Sequence, residues 1–266
     1  MDRERRASLA TRAARAGGAV AGERFRTDLR VETKAHKNDL VSAADAAAQD
    51  RVVAILSGES DAPVVGEEDE TPSTLPASGP AWVVDPIDGT ANYLRGLRVW
   101  TTSVAAVDDG RPVAAATVMP AMDDEYRAGV DGTRLNGDRV TVSDRDDVET
   151  FAVAALGWGP QGERDAYATL TEAIVRDCGD MRRFGSMQSA LAFVASGGLD
   201  AAITTRRPNP WDSLAGVHLI REAGGTVTDL AGERWRPDSQ GLVASNGAAH
   251  DRLVEIAQRV AAAAED

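Results

Sequence analysis

At 266 residues, with 42 acidic against 29 basic side chains and a formal net charge of −13, the chain is long enough to bury a full-sized core, as one large domain or as two halves sharing an interface. So acidic a chain excludes a nucleic-acid backbone or an anionic membrane as the main partner, because both are polyanions themselves; an anionic small molecule stays admissible where cations or backbone amides neutralise it locally. The single cysteine, Cys178, excludes an intrachain disulfide and a thiolate metal cluster.

All the basic residues except Lys34 and Lys37 are arginine. Acidity with little lysine suits a salt-rich cytoplasm, where surface carboxylates stay hydrated and their repulsion is screened. An arginine-favouring base composition produces the same bias, and composition does not separate the two. No stretch approaches the roughly 18 apolar residues of a membrane span, and MDRERRASLATRAARAGG holds no apolar signal core. The expectation is a soluble cytoplasmic protein.

In chain order, residues 3–27, rich in alanine and arginine, predict a first helix that stops at a cluster of glycine and charge. A second is predicted over about 42–56, where Val41, Ala44, Ala48, Val52 and Ile55 share one face. PVVGEEDE is a short apolar run ending in acids, TPSTLPASGP is low in structure, and residues 81–84 read as a buried strand. From Trp100 to Val142 the apolar pattern becomes period two or continuous, with Asp109 and Gly110 as a hairpin turn, so this section is mostly sheet. The second half alternates. FAVAALGWG and LDAAITT read as strands, and GERDAYATLTEAIVRDCG, SMQSALAFVASGG and PWDSLAGVHLIREAGG as helices. GGTVTDLAGE and QGLVASNG are further strands before a closing helix with a seam of Leu253, Ile256 and Val260. This order predicts a layered α/β sandwich with substantial antiparallel sheet, divisible near residue 145 into halves 1–145 and 146–266 of one compact unit.

The chemistry concentrates in WVVDPIDGTANY, residues 82–93. Burial accounts for the apolar half of that stretch but not for Asp85 and Asp88. Pro86 holds Asp85 extended and Gly89 permits a tight turn, so the two carboxylates converge. Such a pair repels unless a cation sits between its members, and oxygen ligands favour a hard ion such as Mg²⁺. The alternative is an Asx-turn in which both acids cap backbone amides. GEEDE at 66–70 puts Glu67 or Glu68 either within reach of the same pocket or on a solvated face. Asp212, opening a helix in NPWDSLAG, is either a ligand or a cap that complements the helix dipole. Asp45, among alanines in the second helix, faces either a polar centre or water. Gly89 and Thr90 open a short helix and offer free amides to an anion beside the metal, an arrangement suited to phosphoryl transfer to water.

VVGEEDE, WVVDPIDGTANY and PWDSLAGVHLIREAGG, in this order and at these separations, resemble the inositol monophosphatase family of Mg²⁺-dependent sugar phosphatases, which includes archaeal and bacterial enzymes acting on fructose 1,6-bisphosphate. KNDLVSAAD, LNGDRVTVS and RRFGSMQSALAFVASGGLDA extend the resemblance over nearly the whole chain. It implies the αβαβα sandwich of the sugar phosphatases, two or three Mg²⁺ ions and a homodimer. It further implies metal ligation by Glu67, Asp85, the Ile87 carbonyl, Asp88 and Asp212. Glu67 and a pair formed by Asp45 and Thr90 then activate the attacking water, while the Gly89 and Thr90 amides hold the phosphate. Lys34 matches a family lysine near the phosphate, and Gly185, Ser186 and Met187 match a segment lining the sugar site. The reaction implied is in-line attack of water on inositol 1-phosphate or a similar sugar phosphate, without a phosphoenzyme. Fructose 1,6-bisphosphate is the first alternative substrate and 3′-phosphoadenosine 5′-phosphate the second. All five acids are present, which argues against a fold retained only as an interaction module.

Members dedicated to inositol phosphates carry a glutamate seven residues before the helix aspartate. This chain has Thr205 there, which implies relaxed inositol specificity, followed by Arg206 and Arg207, which either favour a second phosphate or a more anionic substrate or serve only surface solubility. The five tryptophans, Trp158 among them, read as packing residues, and His218 as a satisfied, half-buried one.

Overall fold

In the computed structural model, which describes residues 1–26, 31–33, 40–68, 71–161 and 164–263, the chain begins with α1 (Arg3–Arg24), passes an antiparallel pair formed by β1 (Val31–Thr33) and β2 (Leu40–Ser42), and enters α2 (Ala43–Ser57). A seven-stranded sheet then runs in chain order from β3 (Val64–Gly66) and β4 (Pro80–Asp88) through β5 (Thr101–Asp108), β6 (Arg111–Met119), β7 (Asp124–Gly129) and β8 (Gly132–Leu135) to β9 (Asp138–Arg139). The short α3 (Thr90–Leu94) sits between β4 and β5. Only β3 and β4 pair in parallel; the other neighbours are antiparallel.

The second sheet takes β10 (Ala152–Ala155), β11 (Asp180–Arg182), β12 (Ala201–Thr204), β13 (Thr226–Thr228) and β14 (Leu242–Ser245) in the order β11-β10-β12-β14-β13. Its connections hold α4 (Arg164–Asp177), α5 (Met187–Ala195) and α6 (Pro210–Glu222), and α7 (His250–Ala263) closes the chain.

Side-chain alternation along the strands decides how these elements stack. In β4 and β5, Trp82, Val84, Val104 and Ala106 point to one face and pack on Leu9, Ala13 and Val52 of α1 and α2. Val83, Ala105 and Val107 point to the other face, where they meet α5 and α6. The second sheet repeats this: Ala154, Ala202 and Ala244 join the α5–α6 layer, while Val153, Ala155 and Val243 pack on Tyr167, Leu170 and Ile174 of α4 and Leu253 and Ile256 of α7. The result is an αβαβα sandwich, the fold class expected.

The hairpin turn forms at Asp109 and Gly110, both at positive φ (48° and 72°), as a tight turn matching strand twist requires. Several boundaries differ from expectation. α1 ends at Arg24 rather than near residue 27. The buried seam of α2 runs through Ala44, Ala48, Val52 and Leu56, with Ile55 only half-buried, because 3.6-residue periodicity favours the i+4 partner of Val52 here. β11 was not expected: its sequence, Asp-Met-Arg, carries no apolar pattern, and it is held as an edge strand by backbone pairing to β10. β4 continues through Asp88 instead of stopping at Val84, and that extension creates the site.

Candidate metal centre and cleft

Asp85 pairs with Ser103 and Asp88 with Thr101, so three steps along β4 match two along β5. A regular strand places residues three apart on opposite faces. The extra residue is a bulge, and it returns Asp88 to the side of Asp85. Asp212 arrives from the first turn of α6. Together Asp85, Asp88 and Asp212 place one carboxylate oxygen each within 4.8 Å of the others.

Two charges at that separation repel by roughly 3 kcal/mol at an effective dielectric constant near 20. A carboxylate that caps a helix contributes about 1 kcal/mol, so capping does not offset the cost of gathering three. Asp88 is partly compensated, its Oδ2 accepting from Ser186 Oγ at 2.6 Å and from the Gln188 amide at 2.5 Å. Asp212 Oδ2 accepts from Asn209 Nδ2 at 2.9 Å. Asp85 is 1% exposed and neither of its oxygens has a hydrogen-bond partner among the described residues. It caps nothing, which removes the Asx-turn reading for this residue. Burial, and then the charges of Glu67, Asp88 and Asp212, raise its pKa well above the carboxylate range. Burial and Asp88 together push Asp212 up to about 7. A hard divalent cation supplies the partner that these oxygens lack, and the donor set fits it.

Glu67 follows β3 and is exposed as a residue, yet its carboxyl stands in a crowded setting. Desolvation is the largest cause of its raised pKa, and the charges of Asp212, Asp45, Glu68 and Asp88 raise it further. Its loop is tied to α2 through Gln49, whose side chain accepts from the Glu68 amide at 3.2 Å. Asp45 is buried in α2, 1% exposed, which settles its orientation toward the polar centre; its charge is felt by both Glu67 and Asp85. Ile87 is fully buried, and its carbonyl accepts from the Thr90 hydroxyl at 3.0 Å.

Gly89 caps α3 in the left-handed region, φ 96°. A Cβ there would stand 3.1 Å from both Ser186 Cβ and the Val99 carbonyl oxygen, so glycine is required by conformation and by close approach alike. Asn92 completes this docking by donating to the carbonyls of Val99 and Phe184, each at 2.7 Å. Gly89 is thereby brought beside Gly185 and Ser186.

A cleft of about 340 Å³ opens from Asp212 and is lined by Gly185, Ser186 and Met187 as expected, and also by Arg95, Trp158, Tyr167 and Arg183. The Ser186 hydroxyl is committed to Asp88 rather than directed at a ligand. Trp158 is 46% exposed, so it lines a cavity instead of filling the core as expected. The guanidinium groups of Arg164 and Arg183 lie 4.5 and 4.6 Å from its ring centroid. Its place between Gly157 and Gly159, in a loop, was the available signal. Arg95, just after α3, had none. Thr205 and Arg206 are not among the residues lining this cleft; Arg206 sits behind Gly157, whose missing Cβ would be 3.8 Å from Arg206 Cδ. Arg207 turns away to the Pro237 carbonyl. Lys34 lies outside the described residues. His218 is buried with Nε2 lacking a hydrogen-bond partner among the described residues, and burial lowers its pKa to about 3, so it is neutral but not satisfied.

Such a sandwich, with an acid cluster at the mouth of a small cleft, defines a metal-dependent hydrolase of phosphate monoesters. Residues 2–262 match the model of the inositol monophosphatase family, and the chain belongs to that family. It is 37% identical to a probable inositol 1-monophosphatase ImpA of Mycobacterium tuberculosis, over 82% of each chain. It is 32% identical to a fructose-1,6-bisphosphatase/inositol-1-monophosphatase of Aquifex aeolicus over 93% of each. A histidinol-phosphatase of Streptomyces coelicolor is 35% identical over 90% of this chain and 91% of its own. Among solved structures, the Thermotoga maritima IMPase superposes with a TM-score of 0.86 at 28% identity, covering 96% of this chain and 98% of that one. The chain is therefore a phosphatase.

Proposed function

We propose that this chain is a Mg²⁺-dependent phosphomonoesterase acting on inositol 1-phosphate or a similar sugar phosphate. The observation that carries it is the Asp85 carboxylate, buried without a hydrogen bond among the described residues and within 4.8 Å of Asp88 and Asp212. Glu67, Asp85, the Ile87 carbonyl, Asp88 and Asp212 hold the metal. When bound, the cation supplies Lewis acidity, making water nucleophilic near neutral pH and stabilising charge on the leaving oxygen. Glu67 takes the proton of the attacking water, Asp45 with Thr90 orients it, and the Gly89 and Thr90 amides hold the phosphate. Lys34 adds a positive charge at the entrance. A cytoplasmic homodimer is part of the same proposal, and light scattering of the purified protein decides the oligomeric state. Among the described residues no helix is long and apolar enough to cross a membrane.

A second reading, fructose 1,6-bisphosphate, draws support from Arg95 and Arg183. Both line the cleft and neither forms an ion pair with a carboxylate of the described residues, whereas arginines elsewhere, such as Arg3, Arg12 and Arg145, do. Guanidinium groups without a carboxylate partner among the described residues suit a second anionic group on the substrate and repel an ammonium such as that of histidinol phosphate.

The test is phosphate release from inositol 1-phosphate, fructose 1,6-bisphosphate, 3′-phosphoadenosine 5′-phosphate and histidinol phosphate, with and without Mg²⁺. Release only with Mg²⁺, and least from histidinol phosphate, is the expected outcome; release from none of the four rejects the substrate class. Arg183→Ala is expected to raise KM for the bisphosphate about tenfold, the value of a charge-assisted hydrogen bond, and to leave KM for inositol 1-phosphate within about twofold. An equal rise for both rejects the second reading.

A further inference from the structure

Gln188 stands in the first turn of α5 with no solvent exposure, and it touches both segments that carry the acid cluster. Its amide N–H donates to Asp88 Oδ2 at 2.5 Å. Its side chain reaches across to α6, where Nε2 donates to the Trp211 carbonyl at 2.5 Å and Oε1 accepts from the Gly216 N–H at 2.8 Å. Those two contacts bracket Asp212, one residue before it and four after. The Gly216 amide is one that a regular helix commits to the Asp212 carbonyl, so Gln188 intervenes in the turn from which the Asp212 side chain projects.

The helices approach closely enough for this only because residue 216 is glycine. A Cβ there would stand 2.4 Å from Leu191 Cβ and 3.0 Å from Gln188 Oε1. A primary amide, uncharged at every working pH, offers a donor to a carbonyl and an acceptor to an N–H at once. A glutamine with no solvent exposure is costly unless both ends are used, and here both are.

We propose that Gln188 is a positioning residue: it fixes the separation of the Asp88 and Asp212 carboxylates and thereby sets the affinity for the divalent cation between them. It touches neither the metal nor the phosphate. The inference rests on the metal-dependent reading of the site. Partners that orient ligands from behind typically change metal affinity 10- to 100-fold when removed, and the same range is expected here.

The experiment is calorimetric titration of the full-length, metal-free protein with Mg²⁺, with Mn²⁺ binding followed by electron paramagnetic resonance as a second readout. Gln188→Met keeps the volume and loses both contacts; its dissociation constant for Mg²⁺ is expected to rise at least tenfold, with kcat returning toward wild type once Mg²⁺ is raised to saturation. Gln188→Asn keeps the amide but is one methylene too short to hold both partners; a rise of about threefold or more is expected, and this variant decides the matter if Gln188→Met does not fold. Phe193→Leu, on the same helix and half-buried with its ring against Phe184, serves as a control for destabilisation and is expected to bind Mg²⁺ as wild type does. Affinity within twofold of wild type in the folded glutamine variants overturns the positioning role. Wild-type protein that binds no Mg²⁺ overturns the metal reading itself, which is a separate result.

Discussion

Asp85→Asn is expected to lower kcat/KM at saturating Mg²⁺ by about a thousandfold or more, some 4 kcal/mol of transition-state stabilisation, while making the metal-free protein more stable. The two effects have one cause. Asp85 is 1% exposed, accepts no hydrogen bond among the described residues, and faces Asp88 and Asp212 within 4.8 Å. Without a cation such a group is a liability: burial and four neighbouring acids oppose its ionisation, and a neutral isostere relieves that. The same surroundings already favour the protonated form of Asp85, which itself relieves part of the repulsion, so the gain is held to about 1–2 kcal/mol. That corresponds to a rise in Tm of roughly 2–8 °C for a chain of this size. With Mg²⁺ the order reverses, because the variant loses the ligand that couples binding to folding. A variant that is inactive and also less stable without metal contradicts the account, since that pattern belongs to a residue with a packing role. Thermal melts with and without chelator, alongside phosphate release, separate the outcomes.

How much of this was legible beforehand differs by level. Continuous apolar runs made the strands at 81–84 and 151–159 readable and the order of elements gave a layered sandwich, whereas the five-layer form came with the family resemblance and the faces, Val83 against Val84 or Val153 against Ala154, only with the structure. The acids at 85 and 88 were legible as a pair because nothing in burial explains them, and Asp212, which capping would have explained, joined them only through the family resemblance. Their convergence was not fully legible: proline and glycine near Asp85 signalled a turn beyond the strand, whereas the structure keeps the strand going and inserts a bulge. Pairing register is a property of two strands, and one strand's sequence does not contain it. Asp45 offered two orientations in the sequence because its neighbours Ala44, Ala46 and Ala47 are equally small on every side; only the docking of α2 against β4 buries it. The substrate side was least legible. Thr205 and Arg206 stand at the right spacing from Asp212, yet the chain between them turns so that they fall outside the cleft lining, and Arg95 and Trp158, from distant loops, take the wall. Gln188 has no signature at all, since a glutamine in a helix is ordinarily on a wet surface.

Removing metal is expected to make stability fall as pH rises, and adding Mg²⁺ is expected to cancel that dependence. Burial and mutual repulsion raise the folded-state pKa values of Glu67, Asp85 and Asp88 and bring Asp212 up to about 7. A carboxylate whose folded pKa exceeds its unfolded value binds more protons in the native state. Its contribution to stability is therefore complete below the unfolded pKa near 4 and is lost as pH climbs through the folded value. For Asp212 that window runs from about pH 4 to about pH 7, and the metal-free protein should melt at a lower temperature at pH 8 than at pH 5.5. A saturating cation replaces the protons, so the increase in Tm on adding Mg²⁺ should be small at pH 5.5 and large at pH 8. At a hundred times the dissociation constant, mass action gives about 2.7 kcal/mol, or roughly 5–10 °C. Binding near pH 7 should also release protons, visible as a calorimetric enthalpy that changes with the ionisation enthalpy of the buffer. An Mg²⁺-induced increase in Tm of the same size at both pH values, with no proton release, means that these acids are ionised and separately solvated in the folded protein, and the cluster then has no claim on a metal.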